Sequence, residues 1–163
     1  MKKRLIDLLK FFIYFTAIAI ILIACEPISV SVNSKGEVAF TRSEGIFFAD
    51  LKAGKVSILD WNFGKETVPV IVRWSPDSEN IAYTVKENKD SQNTSVFLTD
   101  RKGTSPKKIY STAKVITQLE WSPSGKNISL AQAGEDSDTN VADLVLITFK
   151  DGMNKIIVSN TGD

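Results

Sequence analysis

The feature that most constrains this chain is a stretch that it repeats. Val72-Arg73-Trp74-Ser75-Pro76-Asp77-Ser78-Glu79-Asn80-Ile81-Ala82-Tyr83 and Leu119-Glu120-Trp121-Ser122-Pro123-Ser124-Gly125-Lys126-Asn127-Ile128-Ser129-Leu130 share Trp, Ser, Pro, Asn and Ile in register, 47 residues apart. A fainter copy, Ser31-Val32-Asn33-Ser34-Lys35-Gly36-Glu37-Val38-Ala39-Phe40, lies about 42 residues before the Trp74 copy. A repeat of this length is a supersecondary unit that buries its faces only by stacking against its neighbours.

Each unit carries strand chemistry. Val70, Val72 and Trp74 alternate with Ile71 and Arg73, and Val115, Thr117, Leu119 and Trp121 alternate with Ile116, Gln118 and Glu120. That is a period of two, which predicts strands. The segments Ser75-Pro76-Asp77-Ser78 and Ser122-Pro123-Ser124-Gly125 predict turns. Proline presets φ at the first corner, the serine side chain caps the turn, and Gly125 takes a positive φ freely. Ser78 stands where that glycine would be, at a cost of up to about 1 kcal/mol if the conformation is kept. Second strands are expected at Asn80–Val85 and Asn127–Gln132, and third strands at Gly45–Ala49, Ser95–Thr99 and Leu144–Phe149. Turns at Lys52–Lys55, Arg101–Ser105 and Lys150–Gly152 lead to fourth strands at Val56–Leu59, Lys107–Tyr110 and Asn154–Ser159. A period in the forties with this content predicts an all-β chain, a partial β-propeller of three four-stranded antiparallel blades near residues 28–60, 68–110 and 115–159.

The two Trp-Ser-Pro turns, each followed by Asn-Ile and a small residue, resemble the Pro-Asp repeats of TolB-type β-propellers. The resemblance implies that the tryptophan strand is innermost in its blade and that the turn sits at one rim. Ser78 in place of glycine and Ser124 in place of aspartate depart from the pattern, and the first unit lacks the Trp-Ser-Pro signature. Three blades fall short of the four to eight of a closed propeller. Val30, Val32, Val38, Phe40, Ile46 and Phe48 at one end, and Leu144, Leu146, Ile156 and Val158 at the other, read as faces too apolar for solvent. Two arrangements satisfy them: a homodimer through the open blade faces, or a longer propeller of which this chain is the front part.

Ahead of the repeats lies an export signal. Lys2, Lys3 and Arg4 precede an unbroken, mostly apolar run of 14 residues, Phe11 to Ala24. The run is shorter than the roughly 20 residues that span a bilayer and matches the apolar core of a signal peptide, expected as a hydrophobic helix. Leu22-Ile23-Ala24-Cys25 resembles the bacterial lipobox, in which a peptidase cuts before a cysteine that already carries diacylglycerol. The domain reading is therefore a lipoprotein signal peptide at 1–24 and a propeller at 25–163. Cys25 is the lipidation site, and membrane lipid held through it is the first expected partner. Two acyl chains meet the requirement for stable anchoring, so the body is expected outside the cytoplasm in the bacterial cell envelope.

Composition sets limits on function. Among 163 residues, 20 are Lys or Arg and 19 Asp or Glu. Without residues 1–24 the formal net charge becomes −2, which offers no polyanion surface, so nucleic acid is not an expected partner. There is no histidine, which removes Ser-His-Asp and Cys-His catalysis, and the single cysteine leaves no internal disulfide or thiolate zinc site. No catalytic residue, cofactor or metal is expected. Asp136-Ser137-Asp138-Thr139-Asn140 resembles the opening of a calcium loop, but Val141 stands at the glycine position and Ile147 at the glutamate position. Glu87–Asn93, Glu135–Asn140 and Trp61–Gly64 share one rim; they would suit a protein partner, and their plain reading is solvated tips with an aromatic covering a blade junction. Arg73 and Glu120 hold equivalent positions in successive blades and need not touch. The expectation is a non-catalytic binding module. The alternative is the propeller part of a prolyl-oligopeptidase-like hydrolase without its catalytic domain.

Overall fold

The computed structural model describes residues 29–59, 63–64, 66–133, 142–150 and 153–159. They form twelve strands in three four-stranded antiparallel sheets and contain no helix. The first sheet holds β1 (Val30–Val32), β2 (Glu37–Arg42), β3 (Gly45–Asp50) and β4 (Lys55–Ile58). The second holds β5 (Val68–Trp74), β6 (Asn80–Lys86), β7 (Thr94–Asp100) and β8 (Lys107–Thr112), and the third β9 (Ile116–Trp121), β10 (Asn127–Ala133), β11 (Ala142–Lys150) and β12 (Met153–Ser159). Within each sheet, chain neighbours pair in order. The expected signal helix at 1–24 and Cys25 lie outside the described residues, as do Trp61, Asn62 and the loop Glu135–Asn140.

One turn chemistry starts all three sheets. Ser75 Oγ accepts the amide of Asn80 at 2.9 Å and Ser122 Oγ that of Asn127 at 3.1 Å. In the first sheet, which lacks the Trp-Ser-Pro signature, Asn33 does the same work: its Oδ1 accepts the amide of Glu37 at 2.9 Å. Gly36, Ser78 and Gly125 follow with φ of 80°, 63° and 68°. Ser78 thus keeps the left-handed conformation expected of glycine, and its hydroxyl meets that of Ser34 at 3.0 Å.

The strict alternation read in the first strands breaks in both complete copies. The β5–β6 register shifts between Pro69 and Val72, so the adjacent Ile71 and Val72 are both buried. Thr84 Oγ1 accepts the displaced amide of Ile71 at 3.0 Å. Thr41 serves Ser29 in the same way at 2.9 Å. The β9 ladder shifts opposite Ala131 and Gln132, so the buried residues are Ile116 and Leu119 rather than Val115 and Thr117. An extra residue at a bulge inverts the phase of everything beyond it.

The sheets stack face to face. Ala39, Ile46, Leu59, Val72, Trp74, Ile81, Tyr83 and Val85 fill the first junction. Ile71, Val96, Ile109, Leu119, Ile128, Leu130, Val145 and Ile147 are among those filling the second. Ile46 and Phe48, expected on an outer face, instead face the second sheet: Ile46 is fully buried and Phe48 lies 6.0 Å from Trp74. Register places Phe47, Val56 and Ile58 on the outer face in their stead, beside Val30, Val32, Val38 and Phe40. In the third sheet, Ile156 and Val158 stand opposite the buried Ile147 and Val145 in the ladder, not opposite the exposed Leu144.

Candidate functional site

A cleft of about 490 Å³ opens where the rims of the first and second sheets meet. The turns that start β2 and β6, and those that end β3 and β7, bring its residues together. Asp50 shapes one of the latter by accepting the amides of Lys52 and Ala53, each at 2.9 Å, and Asp100 shapes the other through Lys102 and Thr104, each at 3.0 Å. These side-chain-capped turns aim Arg101 and Lys102 across the junction. Bonds from the Thr104 hydroxyl and amide hold the Asp100 carboxyl below the usual carboxylate range.

Arg101 pairs with Glu37 of the first sheet, its Nε donating to Oε2 at 3.0 Å. Asn33 Nδ2 donates to the same carboxylate oxygen at 2.7 Å. The guanidinium beside it is the main reason the Glu37 carboxyl titrates below its ordinary value. Lys35 pairs with Glu79 nearby. Beneath these charges Trp74 forms part of the wall beside Phe48. Trp74 is 8% exposed, and its indole Nε1 finds no acceptor. A buried donor left without a partner costs free energy. Lys55 and Lys102 complete the wall with two amines that no described carboxylate pairs. The arrangement holds an apolar floor and ionic walls of both signs, which suits a peptide segment better than a uniformly charged ligand.

At the inner strands, Arg73 and Glu120 do touch: Nε donates to Oε1 at 2.8 Å. Arg73 Nη1 also reaches Ser29 Oγ at 2.9 Å, so one side chain ties all three sheets together. On the opposite rim, the Glu87–Asn93 loop uses its polar groups on itself. Asn93 Nδ2 donates to Glu87 Oε2 at 2.9 Å, and Asn88 Oδ1 accepts the amides of Asp90 and Ser91. Phe63 covers the junction, 4.7 Å from Phe97 and 6.2 Å from Tyr83. Among the described residues no three His, Cys, Asp or Glu side chains gather as a metal site. The calcium-like segment at Asp136–Asn140 lies outside them.

Sequence reading passed over the cleft, because Arg101–Ser105 was legible only as a turn. The signal for it was the recurrence of an aspartate at the end of the third strand, Asp50 and Asp100, followed by basic residues.

No protein-family model matches this sequence, and no curated protein does. Solved structures do. The nidogen/laminin complex matches over 85% of this chain and 50% of that one, at 15% identity and a TM-score of 0.62. TolB from Acinetobacter baumannii matches over 81% of this chain and 32% of its own length, at 21% identity and a TM-score of 0.56. The β-propeller domain of the Trilobed protease from Pyrococcus furiosus, described as having an open velcro topology, matches over 82% and 42%, at 15% identity and a TM-score of 0.56. The three sheets are propeller blades. The chain spans half or less of the length of each of these proteins. At such identities the likeness speaks for the fold alone. The blade reading also explains the repeat: Trp74 and Trp121 pair with Ile81 and Ile128 at matching ladder positions, and Arg101 and Phe149 donate matching amides to Glu79 and Lys126.

Proposed function

We propose that this chain is an extracytoplasmic lipoprotein, acylated on Cys25, whose blades bind a segment of a partner protein without catalysing a reaction on it. The observation that carries the binding role is the cleft, where the Trp74 ring and Phe48 lie in the same wall as the amines of Lys55 and Lys102, which no described carboxylate pairs. The amines suit an acidic side chain or a chain terminus, and Trp74 and Phe48 suit an apolar neighbour. Support for the anchoring role comes from Leu22-Ile23-Ala24-Cys25 at the end of the apolar run, and TolB-like folds are consistent with a place in the envelope.

Two measurements test the reading. Intact mass of the membrane-extracted chain is expected to show cleavage before Cys25 and added diacylglycerol, both lost in Cys25→Ser; an unmodified thiol would refute the anchor. A photoreactive residue at Lys102 is expected to give one discrete adduct in intact envelopes, and the same residue at Glu44 on the far rim none. Equal labelling at both would refute the cleft as the docking site.

A second reading, blades that gate a peptidase, draws on the similarity to dipeptidyl peptidase 4 from Porphyromonas gingivalis, which matches over 82% of this chain and 26% of that one with a TM-score of 0.62. Peptidase activity that copurifies with the chain and is abolished by a serine-directed inhibitor would favour it.

A further inference from the structure

The repeat relates three pairs of inner-strand positions: Ser29 and Ser31 in the first blade, Ile71 and Arg73 in the second, Gln118 and Glu120 in the third. At the first junction the serines act on the next blade's backbone. Ser29 Oγ accepts the amide of Val72 at 3.2 Å, and Ser31 Oγ that of Trp74 at 3.0 Å. These amides face away from the blade's own ladder, so a side chain of the preceding blade satisfies them.

Among the described residues the same positions at the two ends of the stack lack such a partner, except that Glu120 Oε1 already accepts from Arg73. In β1 the amides corresponding to Val72 and Trp74 are those of Val30 and Val32. Thr41 donates to Ser29 O at 3.0 Å, which makes Ser29 and Thr41 a hydrogen-bonded pair; antiparallel alternation then sends the Val30 and Val32 amides away from β2. At the other end Gln118 and Glu120, the counterparts of the two serines, are exposed acceptors. Gln118 makes no side-chain hydrogen bond to any described residue. The faces around these positions also fit. The first blade leaves Val30, Val32, Val56 and Ile58 exposed at 43%, 62%, 54% and 52%, and the third leaves Leu144 exposed at 48%.

We propose that the occupant of each open face is a second copy of this chain. The first blade of one copy docks on the third blade of the other, with Gln118 and the Glu120 carboxylate oxygen not bonded to Arg73 accepting the amides of Val30 and Val32, and the reciprocal contact closes a six-bladed ring. A contact between unlike faces either closes or grows into a filament. Two copies bring six blades, which fall within the four to eight that close. A four-stranded face covers about 300 Å². One such contact is too small to hold two proteins, but the four faces of a two-chain ring bury about 1,200 Å², the lower bound of a stable interface. The inference rests on the propeller fold and is independent of the anchor and of the cleft.

The test uses the full chain with Cys25→Ser, so that introduced cysteines are the only thiols. Native mass is expected to be twice the chain mass. With Val30→Cys and Gln118→Cys together, oxidation is expected to give a two-chain species and nothing larger. Val32→Lys is expected to halve the native mass with the β-sheet circular dichroism unchanged, since Val32 is mostly exposed in the single chain. Any of three results overturns the proposal: a monomer at tens of micromolar, a ladder of higher crosslinked species, or crosslinking of Val30→Cys alone, which would mean like faces meet.

Discussion

The two junctions of this stack join equivalent surfaces in different ways. Between the first and second blades aromatic rings enter the buried filling beside the aliphatic residues: Phe48 against Trp74, and Phe63 against Tyr83 and Phe97. That junction leaves the Trp74 indole N–H, the Tyr83 hydroxyl and the Thr99 hydroxyl without partners, and it carries its ion pairs on the rim. Between the second and third blades the fully buried filling is aliphatic, with Tyr110, Trp121 and Phe149 packed half-buried against it, and among the described residues no buried side-chain polar atom of that junction lacks a partner. Trp121 Nε1 donates to Arg73 O at 3.3 Å. Tyr110 donates to Gln132 Oε1 at 3.0 Å, and Gln132 Nε2 and Lys114 Nζ both donate to Asp143 Oδ2, at 3.2 and 2.7 Å. A stack can therefore hold one junction closed with a complete polar network and leave the next with unmet hydrogen-bonding capacity. Of the three residues with that capacity, Trp74 also lines the cleft.

Truncating the two tryptophans breaks the comparison most directly. Trp74→Ala removes a buried ring and is expected to cost about 3–5 kcal/mol, whereas Trp121→Ala, half-buried, is expected to cost about half as much. Urea unfolding of both variants measures the difference, and equal losses would mean the junctions are energetically alike. Next comes acid. The Lys114 amine, then the Gln132 amide, hold the Asp143 carboxyl below its ordinary value. Its contribution is present above the unfolded carboxylate pKa and is lost as pH falls through the lower folded one. Asp143→Asn is therefore expected to lower stability at neutral pH and to flatten the acid limb of a stability profile. Glu37, lowered chiefly by Arg101, has the same sign at the first junction.

The tyrosines give a smaller contrast of opposite signs. Tyr83→Phe removes an unpartnered hydroxyl, whose titration burial already pushes up, and is expected to be neutral or to stabilise by up to about 1 kcal/mol. Tyr110→Phe breaks the bond to Gln132 and is expected to cost about 1 kcal/mol. Thermal melts that show both variants destabilised would contradict the inequality of the junctions. Smallest of all, Ser78→Gly relieves a positive φ but gives up the contact with Ser34, so the expected net change in denaturation midpoint corresponds to less than about 1 kcal/mol.

The strand order was legible because a period-two pattern and a Pro-bearing turn are local. Asn80, Asn127, Gly45 and Lys107 begin strands where the residue pattern places them. The bulges were not legible, because the displaced amide of Ile71 is stabilised by Thr84, thirteen residues away on another strand. The outer face of the first blade was misassigned at Ile46 and Phe48 for a similar reason. In the tight β2–β3 hairpin the facing set is chosen by the pairing of Thr41 with Ile46 and Ala39 with Phe48, which an apolar run of Gly45-Ile46-Phe47-Phe48 does not reveal. The cleft stayed hidden because Arg101 and Glu37 are 64 residues apart.

What the residues determined unaided was the repeating unit: its strands, its Ser- or Asn-capped turns and the number of times it recurs. These depend on φ preferences and side-chain bonds that span a few residues, so each copy carries its own instructions. Only the stacking decided which face of each strand is buried, that Arg73 reaches Glu120, and that one junction keeps an indole N–H without an acceptor. Those outcomes depend on side chains meeting across sheets, where distance along the chain carries no information about distance in space.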